Sequence, residues 1–294
     1  MHLGKIVTNG YSAYDEATLS KLHRVQTMML RDFNKICSDN GIEYFASFGT
    51  AIGAIRHGGF IPWDDDIDLC MRRRDYDRLR EVINQQYREK YELVDAESQE
   101  HYPMINGHLI LKGTVFVDEA FKDLDCTLGI FLDIFPYDNL SDNDEEFKKQ
   151  AFSAWWNNKL MIIRELPHPV ITVKGLKGSF IKAAVMIAHH CLRIAGVSNQ
   201  KLYEKSKRAS TQYNDRETAR IGFLCDTNRF ANQMTLANIY PLRKLPFEDT
   251  YIWVPNDIDE QLRAYYGDYM KLPPMEDRKN HYPAKLDFGP YSAA

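Results

Sequence analysis

The sequence predicts an α+β protein: a small mixed sheet carrying three acids, followed by a mainly helical region. Three observations predict it. Residues 16–38 have helical periodicity through Leu19, Leu22, Val25, Met29, Phe33 and Ile36. Between residues 42 and 135, short apolar runs of strand length are separated by glycine-marked turns. From Ser141 onward the pattern changes to long helical stretches and proline-broken pieces, which places a boundary near residue 140 and divides the chain into 1–140 and 141–294.

The elements follow in order. The first helix leads into an aromatic-rich strand over 42–48, which ends at Gly49 and Thr50, where the chain can turn and present backbone N–H groups to a phosphate. A short helix over 50–57 has Thr50 as its cap and Gly58-Gly59 as its stop. Residues 66–71 alternate as a strand, so Asp66 and Asp68 share one face, while Asp64 and Asp65 fall on the loop side in supporting roles. A second helix is expected over 74–86, and strands over 91–94, 105–111 and 115–119, with Gly113 punctuating a hairpin. The apolar run 129–135 reads as a buried strand with one acid, Asp133, which needs a partner because an unpaired buried carboxylate is costly. Residues 142–166 read as a helix stopped by Pro167-His168-Pro169.

Asp64, Asp65, Asp66 and Asp68 put four acids in five positions directly after a glycine turn. Like charges raise one another's pKa, and a divalent cation is the usual remedy. The bland readings are a solvated acidic turn or a calcium loop, but the twelve-residue spacing of an EF-hand is absent. The stretch reads as a metal-dependent phosphate site, with Asp66 and Asp68 as ligands.

Composition narrows the class. The 294 residues, 44% hydrophobic and 27% charged, can bury a sizeable core. A net charge of -4 argues against bulk nucleic-acid binding. The five cysteines are scattered without a CxxC pair, which suggests reduced thiols and a cytoplasmic setting. Residues 1–14 lack an apolar core of signal-peptide length, so export by that route is not expected.

The string GTAIGAIRHGGFIPWDDDID (49–68) closely resembles the LicD family of phosphocholine transferases, whose relatives include fukutin and fukutin-related protein, on the nucleotidyltransferase fold. Residues 129–136, GIFLDIFP, resemble the family's second motif, and 266–274, YGDYMKLPP, its C-terminal one. The resemblance implies that Asp133 is the third metal-site acid beside Asp66 and Asp68. It implies transfer of a phospho-alcohol, phosphocholine first, from a CDP-linked donor to a sugar hydroxyl of a teichoic-acid or lipopolysaccharide precursor. CDP-choline is the expected donor, CMP the product and Mg2+ the cofactor, with Mn2+ as a substitute. Asp133 is a candidate general base. A lipid-linked glycan acceptor would place the enzyme at the cytoplasmic face of the membrane.

Several residues carry two readings. Gly49 and Thr50 are expected to hold phosphate oxygens, with Asp65 supporting. Arg56 and His57 end the helix that begins at the phosphate turn; they are substrate-binding candidates or simple dipole compensation. Arg278, Lys279 and His281 follow the C-terminal motif, and Arg278 and His281 are candidates to neutralise phosphate oxygens, against a solvated face. Trp63 is core or a lid, and the residues of any aromatic choline cage cannot be picked from 17 Tyr, 15 Phe and 4 Trp. On a helix over 174–193, Lys182, His189 and Arg193 form a narrow polar stripe in an otherwise apolar segment, too interrupted to span a bilayer. It is either a core helix or an interfacial one on anionic lipid, aided by Lys174, Lys177 and Lys182. Ribitol phosphate or glycerol phosphate as the group transferred, a nucleoside-triphosphate nucleotidyltransferase, and a non-enzymatic glycan-assembly protein are the alternatives.

Overall fold

In the computed structural model, which describes residues 14–166, 175–278 and 280–292, the first long element is α1 (Glu16–Asn40). The Asp15 carboxylate caps it by accepting the Thr18 N–H at 2.9 Å, and Gly41 closes it at φ 63°. Its buried stripe of Leu22, Val25, Met29, Phe33 and Ile36 is the one expected from the periodicity. There follow β1 (Phe45–Ala46), α2 (Phe48–Arg56), β2 (Asp68–Arg72), α3 (Arg73–Val82) with a π-helical extension (Ile83–Tyr87), β3 (Tyr91–Val94), β4 (Gly107–Leu111), β5 (Val115–Asp118) and β6 (Phe131–Leu140). After residue 140 come α4 (Asp144–Glu165), α5 (Gly175–Ile194), α6 (Asn199–Thr211), β7 (Arg220–Gly222), β8 (Gln233–Thr235), α7 (Leu236–Ile239), β9 (Arg243–Phe247), β10 (Thr250–Val254), α8 (Asp259–Tyr266) and β11 (Pro283–Asp287). The later region thus adds strands as well as helices.

The main sheet has the order β1-β2-β6-β4-β3, and β7 and β8 extend it from the far end of β6. β2 and β6 run parallel and the other neighbours antiparallel, so the sheet is mixed. Buried side chains from α1, the sheet, α4, α6 and α8 join one continuous apolar core, which makes the centre of the sheet a rigid platform.

Three expectations change. The strand over 42–48 contracts to β1, because Ser47 is extended and Phe48 already turns into α2 with φ 50°. The turn therefore lies at Ser47-Phe48, and Gly49 and Thr50 sit inside the first turn of the helix. The hairpin at Gly113 does not form. Both edges of β4 are taken, by β3 and β6, so β5 has no edge there and instead pairs antiparallel with β11 near the C-terminus. The acidic strand expected over 66–71 begins at Asp68, which leaves Asp66 and Ile67 just ahead of the ladder. Asn143 caps α4 by accepting the Glu145 and Glu146 N–H groups, while the expected stop at Pro167-His168-Pro169 lies outside the described residues. No single described helix is long and apolar enough to cross a membrane; α5 and α6 reach that length together only across a 105° bend.

Candidate active site

Strand register builds the acidic centre. Asp68 is the Cα partner of Asp133 across the parallel β2–β6 pair, and His108 is the partner of Asp133 across β4–β6. Partners on neighbouring strands project to one face, so Asp68, Asp133 and His108 form a row, and Asp66 joins it from the loop. Carboxylate oxygens of Asp66, Asp68 and Asp133 lie within 4.8 Å of one another. Three hard oxygen donors at this spacing suit a small divalent cation such as Mg2+. Thr50 and Ile67 pin the geometry from the backbone: the Thr50 hydroxyl accepts the Asp68 N–H at 2.7 Å, and the Ile67 carbonyl accepts the Asp133 N–H at 2.9 Å.

Asp133 has its partners on β4 and in the loop before it. Asn106 Nδ2 donates to its Oδ1 at 2.8 Å, and His108 Nε2 lies 3.0 Å from the same oxygen. The His108 ring is stacked on Phe131 at 4.1 Å between ring centres and met edge-on by Tyr102. Such outer partners fix the orientation of a ligating carboxylate.

A second cluster ties the C-terminal segment to the acids. Asp65 is fully buried and accepts the Tyr14 hydroxyl at 2.7 Å and the His281 backbone N–H at 2.9 and 3.0 Å. The His281 ring lies 3.3 Å from Asp65 and 3.2 Å from Asp66. Burial by itself disfavours the imidazolium, but the Asp66 charge and the hydrogen bonds to both carboxylates outweigh it and hold His281 well above its ordinary pKa. His281 therefore places a positive charge against the acid cluster.

The N-terminus of α2 faces the same region. Its first N–H groups, on Phe48, Gly49 and Thr50, have no intrahelical acceptor, and the Ser47 side chain does not cap them; its hydroxyl contacts Gln261 Oε1 at 3.2 Å. A side chain at position 49 would meet Asp64 Oδ2 at 2.5 Å, so only glycine lets Asp64 close against the helix. Beside it opens a cavity of about 440 Å³. Phe48, Trp63, Phe135, Phe223, Tyr265 and Tyr266 supply aromatic walls, and Asn106 and His281 connect it to Asp133 and Asp66. In β6, otherwise buried, only Asp133 and Phe135 are partly open, two residues apart on the same face.

Residues 41–176 match the family model described as LicD/FKTN/FKRP, nucleotidyltransferase domain. The chain is also 29% identical over 277 residues to lipopolysaccharide cholinephosphotransferase LicD of Haemophilus influenzae, a match covering 90% of this chain and 96% of that protein. Both matches are to the LicD family. A shorter match, 32% over 114 residues, links it to mannosyltransferase regulator 4 of Saccharomyces cerevisiae, covering 36% of this chain and 9% of that one. The described domain agrees with the α+β architecture and its mixed sheet.

The structure gathers some of the expected residues and disperses others. Asp66, Asp68, Asp133, Gly49, Thr50, Asp65 and His281 converge. Thr50 does so differently from expectation: it is no helix cap, and its hydroxyl holds β2 in place. Arg56 lines the cavity and donates to the Tyr269 carbonyl. His57 is exposed, receives the Arg56 Nε–H at 3.0 Å and does not line the cavity. Its imidazolium is disfavoured by burial and by the Arg56 charge. Arg278 stacks on the Trp63 ring at 4.2 Å and also stays off the lining, while Trp63 itself forms part of the wall. Lys279 and Lys174 lie outside the described residues. Asn106 and His108 were not anticipated. The signal was present as a polar pair in the run Ile105-Asn106-Gly107-His108-Leu109-Ile110-Leu111, where a polar side chain facing the core needs a partner.

Proposed function

We propose that this LicD-type transferase moves phosphocholine from CDP-choline to a hydroxyl of a cell-surface glycan precursor, of the lipopolysaccharide or teichoic-acid type, and releases CMP. The observation that carries the reading is the convergence of three carboxylates beside an aromatic-walled cavity. The name of the Haemophilus relative supports the choline headgroup and the lipopolysaccharide class of acceptor. Asp66, Asp68 and Asp133 would hold Mg2+, or Mn2+ in its place, and a cation bound there would neutralise diphosphate charge and acidify the acceptor hydroxyl.

The chain's own groups do the rest. The open N–H groups of α2 receive diphosphate oxygens, aided by the helix dipole. Asn106 and His108 occupy one oxygen of Asp133, and the other accepts the proton of the acceptor hydroxyl. That hydroxyl oxygen bonds to the phosphorus bearing choline, while the bond from this phosphorus to the bridging oxygen breaks and its electrons leave with CMP. The trimethylammonium rests against Phe48, Phe135 and Tyr265, whose rings meet at 5.4 and 5.6 Å, near the Asp226 carboxylate that accepts the Tyr265 hydroxyl. Five free cysteines support a cytoplasmic setting, at the membrane face where lipid-linked precursors are assembled.

The test offers CDP-choline, CDP-ribitol, CDP-glycerol and CTP separately with Mg2+, and follows thermal shift and slow release of CMP or pyrophosphate. Stabilisation by CDP-choline with CMP as product is the expected result. A response to another CDP-alcohol alone reassigns the donor, and pyrophosphate from CTP moves the reaction to nucleotidyl transfer.

A further inference from the structure

The helix α5 presents an unusual surface. Leu176, Phe180, Ile187 and Ile194 are 92%, 76%, 65% and 88% exposed. At 3.6 residues per turn they fall within about 40° of one another, a single apolar stripe along a helix about 30 Å long. The opposite side holds the helix to the body. Gly178 and His189 are buried there, and His189 Nδ1 lies 3.0 Å from the Ile163 carbonyl of α4. The sequence reading kept a core helix and an interfacial one as alternatives; the helix has one packed face, where His189 of the polar stripe is buried, and one bare apolar face.

The charges beside the bare stripe select its occupant. Lys177 lies about 60–100° from the stripe residues on one side, and Lys182 and Arg193 about 100–160° from them on the other, towards the packed face, so exposed cations stand on both sides of the helix. From Gly175 to Tyr203 there is no Asp or Glu, in a chain that contains 41 of them and is net negative. Pairing of this face with a second copy would bring two sets of cations together with no carboxylate on the helix to neutralise them. A bilayer with anionic headgroups accepts both features, the apolar side chains below the headgroups and the long cationic stems at their level.

We infer that the outer face of α5 docks flat on an anionic membrane surface and holds the protein there. The docking has a consequence for the cavity. Asn158 and Ile162 of α4 line it, and Ile163, the next residue, is the one that carries His189 of α5. One helix therefore joins the bilayer surface to the cavity wall, and a lipid-linked acceptor would meet the site at a constant height. The docking itself stands apart from the donor assignment, and its test uses no transfer reaction.

The full chain is sedimented with phosphatidylcholine vesicles and with vesicles that also contain phosphatidylglycerol, over a range of salt. Binding is expected only to the anionic vesicles and should weaken as salt rises. The triple variant Lys177→Glu, Lys182→Glu, Arg193→Glu should lose more than about a hundredfold in partition, since each cation contributes about fivefold before reversal of its sign. Phe180→Asp with Ile187→Asp should lose binding with the charges intact, and unchanged circular dichroism and melting would show that both variants fold. No binding by the parent chain, or equal binding by the triple variant, overturns the inference. A parent dimer in solution that Phe180→Asp dissociates would give the face to a second copy and overturn it equally.

Discussion

Asp133 shows how one carboxylate acquires its role from a few neighbours. Its Oδ1 takes the Asn106 and His108 contacts, and its register with Asp68 brings two negative groups together at the sheet centre. If these acids hold a cation, Mg2+ should raise the melting temperature of the parent chain. Asp66→Asn and Asp68→Asn should abolish that shift and lower turnover by more than about a hundredfold, because even outer partners of a ligand are worth about 10–100-fold. Melting without metal should stay level or rise, since like-charge repulsion is relieved. Retained Mg2+ response in both variants would remove the acids from the metal site. His108→Phe keeps the stack on Phe131 but loses the Asp133 contact. It should raise the Mg2+ concentration for half-maximal stabilisation by about 10–100-fold with little change in metal-free melting. An unchanged Mg2+ titration would reduce His108 to packing.

Strand β6 shows how an element sorts acids of identical type. Asp133 and Asp138 are five residues apart, an odd spacing, so they project to opposite faces. Asp138 meets a buried Arg73 through two hydrogen bonds of 3.0 and 2.8 Å and also accepts from Asn214. It fastens α3 and the turn that follows α6 to the strand. Asp138→Ala leaves the guanidinium buried without its counter-charge and should cost about 3–5 kcal/mol in urea unfolding. A loss under about 1 kcal/mol would mean that Arg73 finds solvent or another acceptor. Alternation alone was legible in the sequence, but the face that looks into the cavity was not. That depends on β4 lying on one side of β6 and β2 on the other, a choice made by long-range pairing.

At the scale of the whole molecule, the chain closes on itself through β5 and β11, and the seam carries Asp118. This residue is partly exposed, but its Oδ1 is enclosed without a hydrogen-bond partner among the described residues. Burial and the nearby Asp65 charge push its pKa up to about 6, against the opposing charges of His281 and His108. A carboxyl with a raised folded pKa holds its proton more tightly when folded. Stability therefore falls as pH rises from about 4, the unfolded value, through about 6, and the whole penalty is present above that. Asp118→Asn should raise stability at pH 7 by roughly 1–3 kcal/mol and flatten the melting profile between pH 4 and 6. A variant that melts lower at pH 7 would show that the ionised carboxylate is a needed partner of His281. The same seam brings His281 to Asp65 and Asp66, so the last residues of the chain complete the site begun by the first strands.

Much of the local architecture is set by nearest neighbours in the chain. The apolar period of α1, its Asp15 cap and Gly41 stop, strand β3 and the acid cluster after the glycine turn are all short-range patterns, and so they could be read directly. The family likeness is likewise written in contiguous strings, at 49–68 and 129–136. What only the tertiary structure decided is which distant groups meet. Strand order removed the Gly113 hairpin by occupying both edges of β4, and placed Asn106 and His108 on Asp133. It turned Thr50 from a cap into a brace for β2, and left His57 outside while drawing in His281. The apolar run of α5 could be recognised from its residues, but whether it was covered depended on which neighbours reached it. The physical reason is common to all of these. Hydrogen bonding along a helix and alternation along a strand are local, whereas register, burial and the pairing of charges depend on loop closure between segments far apart in sequence.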